Sequence, residues 1–187
     1  MNIVKGFLAT LLSFCFFSSA QAALLLEFKS KHENGSLHLL GTKQSFNSFG
    51  QGLKIGYMGN YILTGLSFDQ NRTYFNEGFS SQTGKIYSGG GIGTFLGFHF
   101  WDRLRVETTY LNSALEANSN DEFRYFGQYF SYGLGLRLWK GFMLNYSKFN
   151  NQYTQSENDE TGLTLGLSNN IKTEGESISL SYILVIK

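Results

Sequence analysis

The sequence predicts an all-β protein, an eight-stranded antiparallel up-and-down barrel that crosses a membrane. Three observations predict it: apolar and polar residues alternate in repeated hairpin units, charges and glycines gather on one parity of that alternation, and short and long connections take strict turns. The clearest unit runs over residues 125–149. Its even positions Phe126, Phe130, Tyr132, Leu134, Leu136 and Leu138 are apolar, whereas Gly127, Ser131, Gly133, Gly135 and Arg137 are small or charged. After Trp139-Lys140-Gly141 the pattern resumes, with Phe142, Leu144 and Tyr146 opposed to Met143, Asn145 and Ser147. Residues 92–100, the turn Trp101-Asp102-Arg103 and residues 104–110 repeat the unit.

At 187 residues the chain is one domain, with 17% aromatic and 16% charged residues, 22 glycines and no proline. Abundant aromatics without proline favour strands. A formal net charge of +1 with no basic cluster excludes a nucleic-acid partner.

Residues 1–22 read as a cleaved signal peptide and 23–187 as the barrel. Lys5 supplies the positive region, Phe7 to Phe17 the apolar core, and Ala20-Gln21-Ala22 the small-x-small cleavage site. Cys15 leaves with that segment, so the mature chain holds neither a disulfide nor a thiolate metal site.

The strands follow in order. Segment 23–31 carries Glu27, Lys29 and Lys31 on its polar parity; 50–58 carries Lys54 among Gly50, Gly52 and Gly56; 61–69 carries Gly65 and Asp69. Segment 89–100 places four glycines and His99 on that parity, and 104–113 places Arg105 and Glu107 there. Segments 125–138 and 142–149 form the hairpin above, and 175–186 closes the series with Ile178, Leu180, Tyr182, Leu184 and Ile186. Gly59-Asn60, 101–103 and 139–141 are tight turns, whereas 32–49, 70–88, 114–124 and 150–174 read as long polar loops. All short turns therefore lie at one end of the meander and all long loops at the other. Leu163, Leu165 and Leu167 form an alternating piece that either extends the seventh or eighth strand or makes a small hairpin.

Which face points inward decides between a membrane barrel and a soluble lipocalin-like one. Only Lys148 and Glu176 break the apolar parity, and only Gly90 among the strand glycines lies on it. Glycines facing a narrow lumen make room for long charged side chains to cross it; facing water they would only weaken the strands. The polar parity is accordingly the lumen. Five bases (Lys29, Lys31, Lys54, Arg105, Arg137) meet three acids (Glu27, Asp69, Glu107) there, which predicts an internal ion-pair network centred on Glu27, Glu107, Lys54, Arg105 and Arg137. Trp101 and Trp139 sit alike at strand-to-short-turn junctions, as an aromatic girdle at a membrane interface requires. Phe49, Tyr110, Phe123, Tyr125, Phe149 and Tyr153 supply a second girdle at the opposite end.

On these features the chain resembles the OmpA/OmpX-type family of small bacterial outer-membrane barrels over the whole mature length. The resemblance implies a monomer in the bacterial outer membrane with periplasmic termini, surrounded by outer-membrane lipid and lipopolysaccharide and inserted by the barrel-assembly machinery. It also implies a structural, envelope-integrity or adhesive role exercised through extracellular loops toward a surface or ligand, with no cofactor. The family's terminal aromatic residue is replaced here by Ile186-Lys187.

Two further functions compete with that reading, a narrow pore and a lipid-modifying enzyme. The second rests on His32, Ser36 and His38, imidazoles and a hydroxyl in the first long loop whose spacing matches no compact zinc motif. A solvated polar loop is the better account of them. Residues 118–122 and 157–160 are acidic stretches that could hold a divalent cation through oxygen ligands, and His99 reads as an interior hydrogen-bonding residue.

Overall fold

Eight antiparallel strands close into one barrel in the computed structural model, which describes residues 23–39, 42–75, 86–100, 103–117, 123–158 and 161–186. The strands are β1 (Ala23–Leu39), β2 (Thr42–Met58), β3 (Ile62–Phe75), β4 (Ile86–Phe100), β5 (Leu104–Ala117), β6 (Phe123–Trp139), β7 (Phe142–Asn158) and β8 (Thr164–Ile186). Each pairs with its sequence neighbours, and β1 pairs with β8 to close the ring. The predicted signal peptide, Trp101 and Asp102 lie outside the described residues.

All eight expected strands are present, but they are longer than their apolar alternation. β1 and β2 stay in register from Ala23↔Met58 up to Leu39↔Thr42, so most of the segment read as the loop 32–49 is ladder. Much of 70–88, 114–124 and 150–174 is likewise strand. The reason is physical: a tilted strand crosses lipid in about 9–11 residues. Beyond that height both faces can be polar, so Asn, Ser and Gln continue a ladder that period-two hydrophobicity no longer marks. Leu165 and Leu167 belong to this extension, with Leu165 paired to Ser156 of β7 and Leu163 just before the strand, accepting from Asn158 N–H.

The faces divide as their chemistry demands. Leu66, Ile92, Val106, Leu134, Leu136, Leu144, Ile178 and Leu180 are exposed on the outside, while the charged parity is buried within. Apolar residues outside and ions inside are the arrangement of a membrane barrel.

Glycine matters most where inner walls touch. A Cβ on Gly65 would lie 2.5 Å from the Cα of Gly56, its cross-strand partner. At the β6–β7 turn Lys140 and Gly141 both take positive φ, 27° and 94°, as a two-residue turn matched to strand twist requires. The turn is one residue tighter than 139–141, because Trp139 pairs directly with Phe142.

Candidate functional site

The lumen is the most built part of the molecule, and it is stacked in three layers. Nearest the short turns, Leu25, Leu63, Phe95, Met143 and Ile183 form a buried apolar layer. These residues share the parity of the charges, where alternation alone predicts polar side chains. They lie at the short-turn end, where packing against one another fills the bore with side chains that bring no polar group of their own.

The ionic layer lies above. Arg105 donates to both oxygens of Glu27 across the barrel, Nη1 to Oε2 at 2.6 Å and Nη2 to Oε1 at 2.8 Å. The same Nη2 donates to Asn145 Oδ1 at 3.0 Å, and Asn145 Nδ2 donates to Ser181 Oγ at 3.1 Å. Lys54 pairs with Glu107, whose second oxygen is 3.5 Å from Arg105 Nε. One step further, Lys31 bridges Asp69 at 3.0 Å and Glu33 at 2.9 Å, and Lys29 reaches Asp69 at 3.4 Å. Tyr129 donates its hydroxyl to Glu33 at 3.3 Å and lies under the Lys31 ammonium.

Glu33 alters the expected charge balance. Its place in what read as a loop hid it, yet β1 continues through it and turns its side chain inward, where it is 2% exposed. The paired lumen thus holds four acids (Glu27, Glu33, Asp69, Glu107) and four bases (Lys29, Lys31, Lys54, Arg105) rather than a surplus of bases. Arg137 departs from the predicted network: among the described residues it pairs with none of these acids, and its Nε has no hydrogen-bond partner. It sits beside the turn, below Gly133 and Gly135, opposite Met143, where the adjacent layer is apolar. His99 is buried at the same end, opposite Arg105.

The third layer lies toward the long connections. Leu37, Phe46, Tyr87, Leu111, Leu115, Tyr129, Phe149, Tyr153 and Ile171 pack together inside the barrel. Phe149 and Tyr129 stack with centroids 5.6 Å apart. Phe149 and Tyr153 therefore do not belong to a second outer girdle; the odd parity of β7 directs them inward, and Tyr125 packs against the same interior cluster. Phe49 and Tyr110 do face outward. At the other end Trp139 is 65% exposed, with the Lys140 ammonium over its ring.

His32, Ser36 and His38 occupy one outward face of β1, with His32 four residues, about 13 Å, and His38 two residues, about 7 Å, from Ser36 along the strand. The first spacing exceeds the ~3 Å reach of a base for its nucleophile, and among the described residues His38 bonds Glu174 rather than Ser36. His32 packs on Phe49 at 4.4 Å between centroids, and His38 Nε2 lies 3.1 Å from Glu174. Residues 118–122 and 159–160 fall outside the described residues, and among those described no group of His, Cys, Asp or Glu could hold a metal.

Solved structures share this architecture at low identity. Neisserial surface protein A superposes with a TM-score of 0.55 at 12% identity, over 87% of this chain and 98% of that one. Ail, the attachment invasion locus protein of Yersinia pestis, solved with the heparin analogue sucrose octasulfate, gives 0.54 at 14% over 87% and 99%. The outer membrane enzyme PagL gives 0.50 at 14% over 82% and 98%. This chain has the fold of the small bacterial outer-membrane barrels. No protein-family model matches the sequence, and no curated protein matches it. In this chain the lumen holds ion pairs between two apolar layers.

Proposed function

We propose that the protein is a sealed, non-conducting barrel of the bacterial outer membrane whose role is structural or adhesive, exercised by the strand ends and connections raised above the lipid. The stacked lumen carries this reading. A pore needs a continuous water path, and here the ionic pairs lie between two apolar layers packed across the bore. The outward apolar belt supports insertion in a bilayer, and the shared fold supports the outer membrane as the site. The short turns, with both termini, then face the periplasm, and residues 1–22 direct export. Strands of 14–17 residues in β1–β7 and 23 in β8 raise the wall well beyond what lipid requires. Such a polar, exposed rim is where a surface partner would be met.

Planar-bilayer recording tests the sealed lumen. The purified chain is expected to give no stable single-channel steps, and reproducible ion-selective steps would sink the reading in favour of a narrow pore. Topology is tested separately by cysteines placed in the mature chain. In intact cells a membrane-impermeant maleimide should label Thr161→Cys, while Lys140→Cys should label only after the outer membrane is permeabilised.

A further inference from the structure

The outer wall carries a groove that neither the seal nor the membrane belt explains. It runs across β4, β5, β6 and β7 along one row of cross-strand partners, Gly90↔Ala114, Ala114↔Phe126 and Phe126↔Gln155. Its volume is about 550 Å³, within the range of small-molecule sites. A barrel's outside is ordinarily convex, so a hollow there needs a cause. Thr154 provides one: it has no partner in the ladder with β6 or in the ladder with β8, so both ladders shift register around it. A bulge of this kind bends its strand and re-aims the neighbouring side chains. The inward parity of β7 accordingly changes from Tyr153 to Ser156, leaving Gln155 outside. Gly90 and Ala114, small residues on the outward parity, keep the floor low.

The lining defines the chemistry of an occupant. Asn112, Gln128 and Gln155 present three side-chain amides, each a donor and an acceptor. All three are exposed, and none hydrogen-bonds another described side chain. Phe126 and Ala114 offer an apolar surface beside them, and no charged side chain lines the hollow. Paired donors and acceptors beside an apolar floor suit the hydroxyls and C–H face of a neutral sugar ring, and offer nothing to a phosphate.

Position selects the source. Asn112 and Gln128 stand two residues beyond Tyr110 and Phe130 on their strands, the exposed aromatics that end the apolar belt on β5 and β6. The groove thus opens sideways just above the lipid, where the saccharide of a neighbouring lipid lies, rather than upward at the barrel mouth where a soluble glycan would arrive. We propose that this groove binds a neutral sugar of the lipopolysaccharide core next to the barrel. The proposal rests on the outer-membrane reading above and deepens it by naming a partner.

The test uses the full mature chain in phosphatidylcholine nanodiscs titrated with lipopolysaccharide, bound copies being counted by native mass spectrometry. Lipopolysaccharide with a complete core should bind at least tenfold more tightly than a form truncated to lipid A and its innermost acidic sugars. Ala114→Trp, which fills the floor, and the double change Asn112→Ala with Gln128→Ala should each remove that preference while heat-modifiable gel mobility stays intact. Equal retention of the complete and truncated forms, or a preference untouched by both variants, overturns the groove alone. Free core oligosaccharide binding as tightly as the lipid-anchored form overturns the membrane source. A chain that never acquires heat-modifiable mobility in lipid overturns the barrel reading and the groove with it.

Discussion

Arg105 and Glu27 meet across the full width of the lumen in a two-point contact, joining β5 to β1 at 2.6 and 2.8 Å. Neither strand is the other's neighbour in the ladder, so the pair ties opposite walls together. Both side chains are at most 2% exposed. Removing one partner strands the other charge without water. Arg105→Ala or Glu27→Ala should therefore cost about 3–5 kcal/mol, whereas Glu27→Leu with Arg105→Met should cost markedly less. Urea unfolding in lipid vesicles measures both, and a double variant as unstable as the sum of the singles would disprove the coupling.

How much of this was legible in the sequence depends on the layer. The eight strands and their inward face followed from parity, because lipid outside and ions inside impose opposite chemistry on alternate residues. The charged residues Glu27, Lys29, Lys54, Asp69, Arg105 and Glu107 lay on that parity and are brought together. Glu33 was missed because its strand segment stands above the belt, where no apolar partner marks the outer face. Its signal was available: it continues the odd parity of Glu27, Lys29 and Lys31. The apolar seals were missed for a different reason. Leu25 breaks no alternation rule because its outward neighbours Leu24 and Leu26 are also apolar, whereas Phe149, between Lys148 and Asn150, reads as an outward girdle aromatic although its odd parity in β7 turns it inward. The displaced parity of β7 depends on the bulge at Thr154, which two-residue periodicity cannot announce.

Phe149 fills the upper seal between Phe46 and Tyr129, at 6.3 and 5.6 Å between ring centroids. Phe149→Ala opens a cavity there, and the expected loss is about 3–5 kcal/mol. Conductance should nevertheless stay absent, since the ionic layer and the lower seal around Phe95 and Met143 remain. Single-channel steps from this one variant would mean that the lower layers do not close the bore.

The Gly56–Gly65 contact predicts an asymmetric response to size. An added side chain at Gly65 meets the backbone of β2 rather than a movable side-chain tip. Gly65→Val should cost roughly 1–3 kcal/mol by forcing the strands apart. Gly166→Ala, where a Cβ meets nothing within 4 Å, should be close to neutral. Comparing the two urea midpoints checks the claim, and equal midpoints would show that β2 and β3 relax freely.

Trp139 ends β6 with most of its ring uncovered, and the Lys140 ammonium stands 5.4 Å from the ring centroid. A ring that is apolar on its face and polar at its N–H finds its best position at the boundary between lipid and water, while the ammonium reaches toward the headgroups. Leu136 and Phe142 beside it belong to the lipid-facing belt, so the boundary falls at the turn itself. With Trp101→Phe, Trp139 becomes the sole tryptophan fluorophore. In vesicles its emission should be quenched more strongly by lipids brominated close to the glycerol backbone than by lipids brominated near the chain ends. Stronger quenching by the chain-end bromines would place the turn inside the hydrocarbon and shift the whole belt toward the long connections.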